Sequence, residues 1–133
     1  TIAQGDFRSD NLFFGDDEVV VIDWQVAARC GGVYDVAYLL AQSMDVELRR
    51  ANERAILVAW HDRLCEAGVE GYSFKQAQED YAASVLVCLV IPVNAGANME
   101  LGNERGEALM AVLAGRGFSA ALDVDWQGVL ARL

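Results

Sequence analysis

The sequence predicts an α+β domain that is mostly helical, with a short β-hairpin near the N-terminus and five or so helices after it. Three observations support this class. Residues of the apolar set AVILMFWYC make up 54% of the 133 residues and Pro occurs once, which is typical of a packed domain. Apolar and β-branched residues form two short runs in the N-terminal quarter. Beyond Gly32, apolar residues recur at helical spacing.

The two N-terminal runs predict the strands of the hairpin. They extend from Leu12 to Phe14 and from Val19 to Ile22. The step Gly15-Asp16-Asp17 between them contains residues that favour a tight turn. We therefore expect residues 1–11 and 24–33 to form loops at the open end of this hairpin.

The helical part is predicted as five segments, separated by glycine and proline. We expect Gly68 to end the second helix, Ser73 to cap the third, and Pro92 to bend or end the third. A glycine-rich joint at Gly115 to Gly117 is expected to separate the last two. The predicted helices run from Val33 to Ser43, Val46 to Ala67, Ser73 to Ile91, Asn103 to Gly115 and Phe118 to Leu133.

The charge balance restricts the class of partner. Ten Lys and Arg against twenty Asp and Glu give a formal net charge of −10. Negative charge repels phosphate backbones and anionic lipids, so we expect neither a nucleic acid nor a membrane as partner. A cationic substrate would fit the acidity, and so would a role in solubility alone.

Localisation is predicted as cytoplasmic. The three cysteines have unrelated spacings, which favours free thiols in a reducing compartment. No secretory signal pattern opens the sequence. The most apolar run, Ala82 to Val93, is shorter than a membrane span and contains Pro92, so it predicts a core helix.

Polar residues with the chemistry of phosphoryl transfer lie at the two ends of the predicted hairpin. Asp6 and Asn11 precede its first strand, and Asp23 follows its second. Phosphoryl transfer needs an oriented acceptor hydroxyl and magnesium held by hard oxygen ligands. Asp6 can serve the hydroxyl, and antiparallel pairing should bring Asn11 and Asp23 side by side on one ion. The pattern therefore predicts a phosphotransferase site.

These residues also resemble a known family. Gly5 to Phe14, GDFRSDNLFF, together with Val21 to Gln25, VIDWQ, is similar to the catalytic loop and metal strand of the aminoglycoside phosphotransferase and choline kinase superfamily. The resemblance implies the C-terminal lobe of a protein-kinase-like fold, with Mg²⁺, a nucleotide donor (ATP or GTP) and a small-molecule hydroxyl as substrate. It implies Asp6 as the base or hydroxyl-positioning group. It implies Asn11 and Asp23 as magnesium ligands that also bind the nucleotide.

The resemblance continues downstream. Tyr34 to Leu40, YDVAYLL, is similar to the superfamily's Asp-Leu-Ala motif and implies that Asp35 is a structural residue that fixes the loop. The less specific segment from Trp60 to Phe74 resembles the ecdysteroid-kinase-like branch.

Two residues near Asp6 differ from those at the matching positions of related kinases. The superfamily usually has His two residues before the catalytic Asp, where this chain has Gln4. A carboxamide has both a donor and an acceptor, so we expect Gln4 to fix the loop in its place. Arg8 occupies the position of a phosphate-contacting Lys in protein kinases, and its planar fork suits the same catalytic task. The alternative is an exposed Arg8 that forms a salt bridge.

Only Thr1 to Ala3 precede the motif in this sequence. The glycine-rich loop, strand Lys and helix Glu that surround ATP phosphates in kinases are therefore expected to be missing. We expect one domain over residues 1–133, with a catalytic-loop hairpin at about 1–32, a helical subdomain at about 33–133 and no N-terminal ATP-binding lobe. Turnover by this chain alone should be weak or nil.

Three alternatives to a phosphotransferase stay open at this point. Asp6, Asn11 and Asp23 could serve only as turn residues. A degenerate lobe could act as a non-catalytic binding module, with a homodimer formed through the surface that the missing lobe exposes. A metal-dependent hydrolase would need a water-activating base beyond Asp6, for which the sequence offers no candidate.

Overall fold

A computed structural model describes residues 1–98 and 104–132 of the chain. Two small antiparallel sheets come first: β1 (Ile2–Ala3) pairs with β4 (Ala28–Arg29), and β2 (Leu12–Phe14) pairs with β3 (Val19–Val21). The mostly helical α+β class is confirmed, with hairpins followed by helices, whereas the assignment to a kinase C-terminal lobe stays a prediction. The helices are α1 (Val33–Ser43), α2 (Val46–Glu66), α3 (Phe74–Cys88), α4 (Val90–Asn98), α5 (Glu104–Asp123) and the short α6 (Trp126–Leu130).

The predicted hairpin is the β2–β3 pair. Leu12 pairs with Val21, and the N–H of Ile22 donates to the backbone oxygen of Asn11 at 3.0 Å. This extra bond brings Asn11 beside the residue that precedes Asp23. The hairpin also presents a bare apolar surface, and the expected homodimer stays a prediction. Its exposed residues are Phe13, Phe14, Val19 and Val20.

Helix α1 lies at the centre of the helical part and has the predicted limits. It packs against α2, α3 and α5, because apolar residues occupy more than one of its faces. Because α1 is held on several sides, the position of the loop that precedes it in the chain is also fixed. The buried residues of α1 are Val33, Ala37, Tyr38, Leu40, Ala41 and Gln42.

Helix α2 ends where the sequence predicts, through a glycine-dependent cap. The N–H of Gly68 donates to the Cys65 carbonyl at 3.0 Å, and that of Val69 donates to the Leu64 carbonyl at 3.0 Å. This pair of bonds is the Schellman motif, which requires the left-handed conformation that Gly68 adopts at φ 87°.

Ser73 caps α3 as predicted, but α3 ends at Cys88 instead of about Ile91. Pro92 lies in the first turn of α4, a position that tolerates proline. Since Pro92 has no N–H for the Cys88 carbonyl four residues earlier, that carbonyl accepts a bond from Gln42 Nε2 at 3.4 Å. The break therefore precedes the proline.

The predicted joint at Gly115 to Gly117 is wrong, because α5 continues through both glycines. A Cβ on Gly117 would lie 3.0 Å from Leu89 Cδ2, so this glycine permits close helix packing. The chain breaks later, where Asp125 caps α6. The predicted helix limits Asn103 and Leu133 lie outside the described residues.

The segment Phe74–Ala97, which contains α3 and most of α4, is long and apolar enough to cross a membrane by length and composition alone. It is longer than the apolar run that the sequence suggested. Its α3 part packs on α1 as a core helix, yet only 28% of its most apolar window is buried. The expected absence of a membrane partner therefore stays a prediction.

Candidate active site

Gln4 joins the two halves of the site. Its side chain is buried, at 2% exposure. Its Nε2 donates to the backbone oxygens of Ile22 at 2.9 Å and Asp23 at 2.6 Å. Its Oε1 accepts the N–H of Asp6 at 2.8 Å. The loop that carries Asp6 is thereby linked to the end of β3, and the loop-fixing role of Gln4 stays a prediction.

Asp35, in the first turn of α1, holds the same loop from the helix side. Its Oδ2 accepts the backbone N–H of Gln4 at 2.7 Å, and its Oδ1 accepts that of Gly5 at 3.0 Å. Gly5 has φ 91°, and a Cβ there would lie 2.6 Å from the Val26 carbonyl oxygen. Only glycine fits this turn without displacing backbone.

Asp6, Asn11 and Arg8 are in direct contact. The Nδ2 of Asn11 donates to the Asp6 carbonyl at 2.8 Å and to the Asp6 carboxylate at 3.0 Å. Arg8 Nε lies 3.3 Å from the other carboxylate oxygen, and Arg8 also faces Asp10 at 3.7 Å. Arg8 thus forms a salt bridge at the site, and its contact with a phosphate stays a prediction.

Asp23 directly follows β3 in an unusual backbone conformation. It has φ 58°, and it is the one non-glycine residue with positive φ in the described chain. Such conformations are strained and concentrate at functional sites. Asp23 is exposed, and its carboxylate has no hydrogen bond or ion pair to residues 1–98 or 104–132. Asp23 is therefore free to bind a ligand from solvent.

Asn11 and Asp23 have the side-chain chemistry that the resemblance implies for magnesium ligands, and their sharing of one ion stays a prediction. Asn11 uses its amide nitrogen on Asp6, while its amide oxygen accepts no hydrogen bond from the described residues. That oxygen and the Asp23 carboxylate are the hard ligands that Mg²⁺ prefers. Among the residues that the structure describes, no three His, Cys, Asp or Glu side chains gather as a metal site.

A pocket of about 750 Å³ opens beside Asp6. Asp6 and Arg8 line it, whereas Asn11 and Asp23 do not. The opposite walls come from α1, α3, α4 and α5 and are largely apolar. The lining residues include Val26, Tyr34, Tyr38, Val87 and Ile91.

Sequence reasoning missed the two tyrosines of this pocket. Tyr34 and Tyr38 are one helical turn apart on the α1 face that carries Asp35, and this spacing is the signal that could have found them. Burial raises the pKa of Tyr34 to about 12. Burial also raises the pKa of Tyr38, and the neighbouring Asp6 carboxylate raises it further. Both phenols therefore stay protonated and can donate hydrogen bonds at neutral pH.

The sequence matches the Ecdysteroid kinase-like family over residues 1–69. This range covers more than half of the chain and contains both sheets, α1, α2 and every predicted site residue. Comparison with curated proteins and with solved structures gives no significant match. The matched family is a branch of the aminoglycoside phosphotransferase and choline kinase superfamily. The chain therefore belongs to the Ecdysteroid kinase-like family.

Proposed function

We propose that this chain forms the acceptor-binding and metal-binding part of a small-molecule phosphotransferase. Family membership supports a kinase-like protein that acts on small molecules. The observation that carries the finer assignment is the contact between Asn11 and Asp6, at 3.0 Å from amide nitrogen to carboxylate. It places one candidate metal ligand against the candidate base, with the amide oxygen left for a cation.

Asp6 would orient the acceptor hydroxyl and take its proton as the phosphoryl group is transferred. Asn11 and Arg8 both contact the Asp6 carboxylate, so its direction toward the pocket is restricted. Asn11 and Asp23 would hold magnesium, which supplies neutralisation of phosphate charge when bound. ATP is the donor that the family implies, and GTP remains an alternative.

The pocket beside Asp6 favours an uncharged, largely apolar alcohol as acceptor. Its volume lies in the range of small-molecule sites. Of its described lining residues, only Asp6 and Arg8 are charged, and they pair with each other. Val87 and Ile91 line it and yet are 55% and 42% exposed. Bare apolar walls gain free energy when an apolar ligand covers them, so the net acidity of the chain does not indicate a cationic acceptor.

The central experiment is phosphotransfer from ATP, compared between the wild-type protein and Asp6→Asn. Loss of a positioned base should lower turnover by about 10²- to 10⁴-fold. Asp17→Asn, in the exposed hairpin turn, is the control and should leave the rate unchanged. A rate that Asp6→Asn does not alter would contradict the assignment.

Acceptor class is tested by binding to the 133-residue chain. Farnesol, an apolar alcohol, should bind more tightly than choline or glucose. Val87→Thr adds a hydroxyl to the pocket wall without changing side-chain size, and we expect it to weaken farnesol binding about fivefold. Val93→Thr is the matched control, since Val93 is 51% exposed and does not line the pocket. Tighter binding of choline than of farnesol, measured by calorimetry, would show the class to be wrong.

A further inference from the structure

We infer that Gln42 determines which alcohols the pocket beside Asp6 accepts, because its carboxamide oxygen receives a second hydroxyl group of the acceptor. The inference rests on the proposed function and narrows the acceptor to an apolar diol. One hydroxyl group would lie at Asp6 for phosphorylation, and the other would bind at Gln42.

Gln42 is a buried polar residue in the wall of the pocket. It lies on α1 and lines the pocket together with Tyr34 and Tyr38, although it is only 2% exposed. Its Nε2 donates to the Cys88 carbonyl at 3.4 Å. Since a carbonyl can only accept a hydrogen bond, the other terminal atom of the carboxamide is the oxygen.

The Oε1 atom of Gln42 is an unused acceptor. It receives no hydrogen bond from residues 1–98 or 104–132. Every fully buried side-chain nitrogen and oxygen in these residues has a partner, so Oε1 has to be accessible. The pocket that Gln42 lines provides this access. An acceptor without a partner in apolar surroundings costs free energy, which a donor on the ligand would restore.

The charges around Gln42 favour a hydroxyl group over an ammonium group as that donor. Among the described lining residues of the pocket only Asp6 and Arg8 are charged, and they pair with each other. An ammonium group at Gln42 would therefore be buried without a counterion, which is costly. Arg116 Nη1 also lies 3.5 Å from the Gln42 backbone oxygen, and its positive charge would repel an ammonium group.

Helix geometry separates the positions of the two hydroxyl groups. Tyr38 and Gln42 are four residues apart, so they share one face of α1 and are separated by about 6 Å along its axis. The Asp6 carboxylate neighbours Tyr38 and raises the pKa of its phenol. The second hydroxyl group is therefore expected about one helical turn from the one that is phosphorylated. The carbon skeleton between them would contact Val87 and Ile91.

The test compares two alcohols that share one carbon skeleton. Tetrahydrogeraniol has a single hydroxyl group, and hydroxycitronellol has a second one near its far end. Calorimetry measures the dissociation constant of each alcohol for the 133-residue chain. Gln42→Met keeps an unbranched side chain and removes the acceptor. Gln78→Met makes the same change at an exposed residue of α3 that does not line this pocket.

We expect the wild-type chain to bind hydroxycitronellol about threefold to tenfold more tightly than tetrahydrogeraniol. In Gln42→Met this order should reverse, because the second hydroxyl group would meet the pocket wall without a partner. Gln78→Met should keep the wild-type order. A general loss of pocket structure would weaken binding of both alcohols alike, so the ratio of the two dissociation constants separates recognition from stability.

A ratio that is the same in Gln42→Met and in the wild type overturns the inference and leaves the acceptor pocket standing. Equal or tighter binding of tetrahydrogeraniol by the wild type also overturns the inference, and this comparison decides if Gln42→Met does not fold. If neither alcohol binds the wild type at millimolar concentration, the proposed acceptor pocket itself is wrong.

Discussion

At the scale of single residues, two positions at the site adopt left-handed backbone conformations. Gly5 has φ 91° above the Val26 carbonyl, where no side chain fits. Asp23 has φ 58°, and Asp is one of the few side chains that tolerate this region. Both conformations turn the chain sharply beside the hairpin ends. Gln4 is buried beside this turn, whereas Asp23 is exposed to solvent.

The Asp23 side chain can be tested without disturbing its backbone. Asparagine also tolerates the left-handed region, so Asp23→Asn should keep the fold while it removes the negative charge. We expect at least about tenfold weaker Mn²⁺ binding, measured by electron paramagnetic resonance, since a carboxylate is the stronger ligand for a hard cation. Asp16→Asn, in the exposed turn between β2 and β3, should change nothing. Equal losses in the two variants would indicate a nonspecific effect of net charge.

Sequence reasoning found the candidate residues, and it named Gln4 and Asp35 as the residues expected to fix their loop. The order of Asp6, Asn11 and Asp23 around two short strands predicted their approach, since hairpin pairing is local. The backbone strain at Asp23 left no signal in the sequence. Its support comes from Gln4, which lies 19 positions away along the chain.

At the scale of elements, the glycines of α5 show why a break was predicted in the wrong place. Gly115 has open space around it, whereas a Cβ on Gly117 would lie 3.0 Å from Leu89 and 3.2 Å from Gln42. Glycine is common both where helices end and where helices approach closely. The sequence pattern is the same in the two cases. Whether a glycine ends a helix or permits close packing depends on the residue that faces it across the interface.

The two glycines provide a matched prediction. Gly115→Ala should raise the free energy of unfolding by about 1 kcal/mol, because alanine favours the helix and meets no neighbour. Gly117→Ala gains the same propensity but must displace Gln42, whose amide is bonded to Cys88. We expect it to be less stable than Gly115→Ala by at least about 1 kcal/mol. Urea denaturation measures both, and equal stabilities would contradict the close-packing role.

At the scale of the whole molecule, a buried arginine joins the two long helices α2 and α5. Arg49 is 1% exposed. It pairs with Glu53 at 2.5 Å and with Asp123 of α5. Arg50 bonds to the same Asp123 at 2.8 Å. Tyr81 of α3 donates to Glu53 at 2.8 Å, so three helices share one polar network.

This network predicts a pH dependence of stability. The hydrogen bond from Arg50, together with that from Arg49, lowers the pKa of Asp123. A lowered folded-state pKa stabilises the fold above the ordinary Asp pKa of about 4, and this stability is lost as pH falls through the folded-state value. Asp123→Asn should therefore destabilise the chain at pH 7, with a deficit that narrows below about pH 4.

The measurement is urea denaturation of both proteins at pH 7 and at pH 2.5. Asp17→Asn, exposed in the hairpin turn, serves as control and should have little effect at either pH. A deficit for Asp123→Asn that is equal at the two pH values would show that the charge of Asp123 does not contribute.

By itself the sequence determined what depends on near neighbours in the chain. The β2–β3 hairpin, the limits of α1, the Schellman end of α2 and the Ser73 cap all arise from turn, cap and periodicity signals over a few residues. The family motif lies in one continuous segment for the same reason, and it located the candidate site.

Tertiary structure decided what depends on contacts between distant residues. It extended α5 through its glycines, moved the end of α3 before Pro92, paired Arg49 with Asp123 and placed Tyr34 and Tyr38 in the pocket beside Asp6. Each of these outcomes depends on packing or hydrogen bonding across helices. Local propensity is weak compared with the free energy of burying such groups, so the partner across the interface prevails.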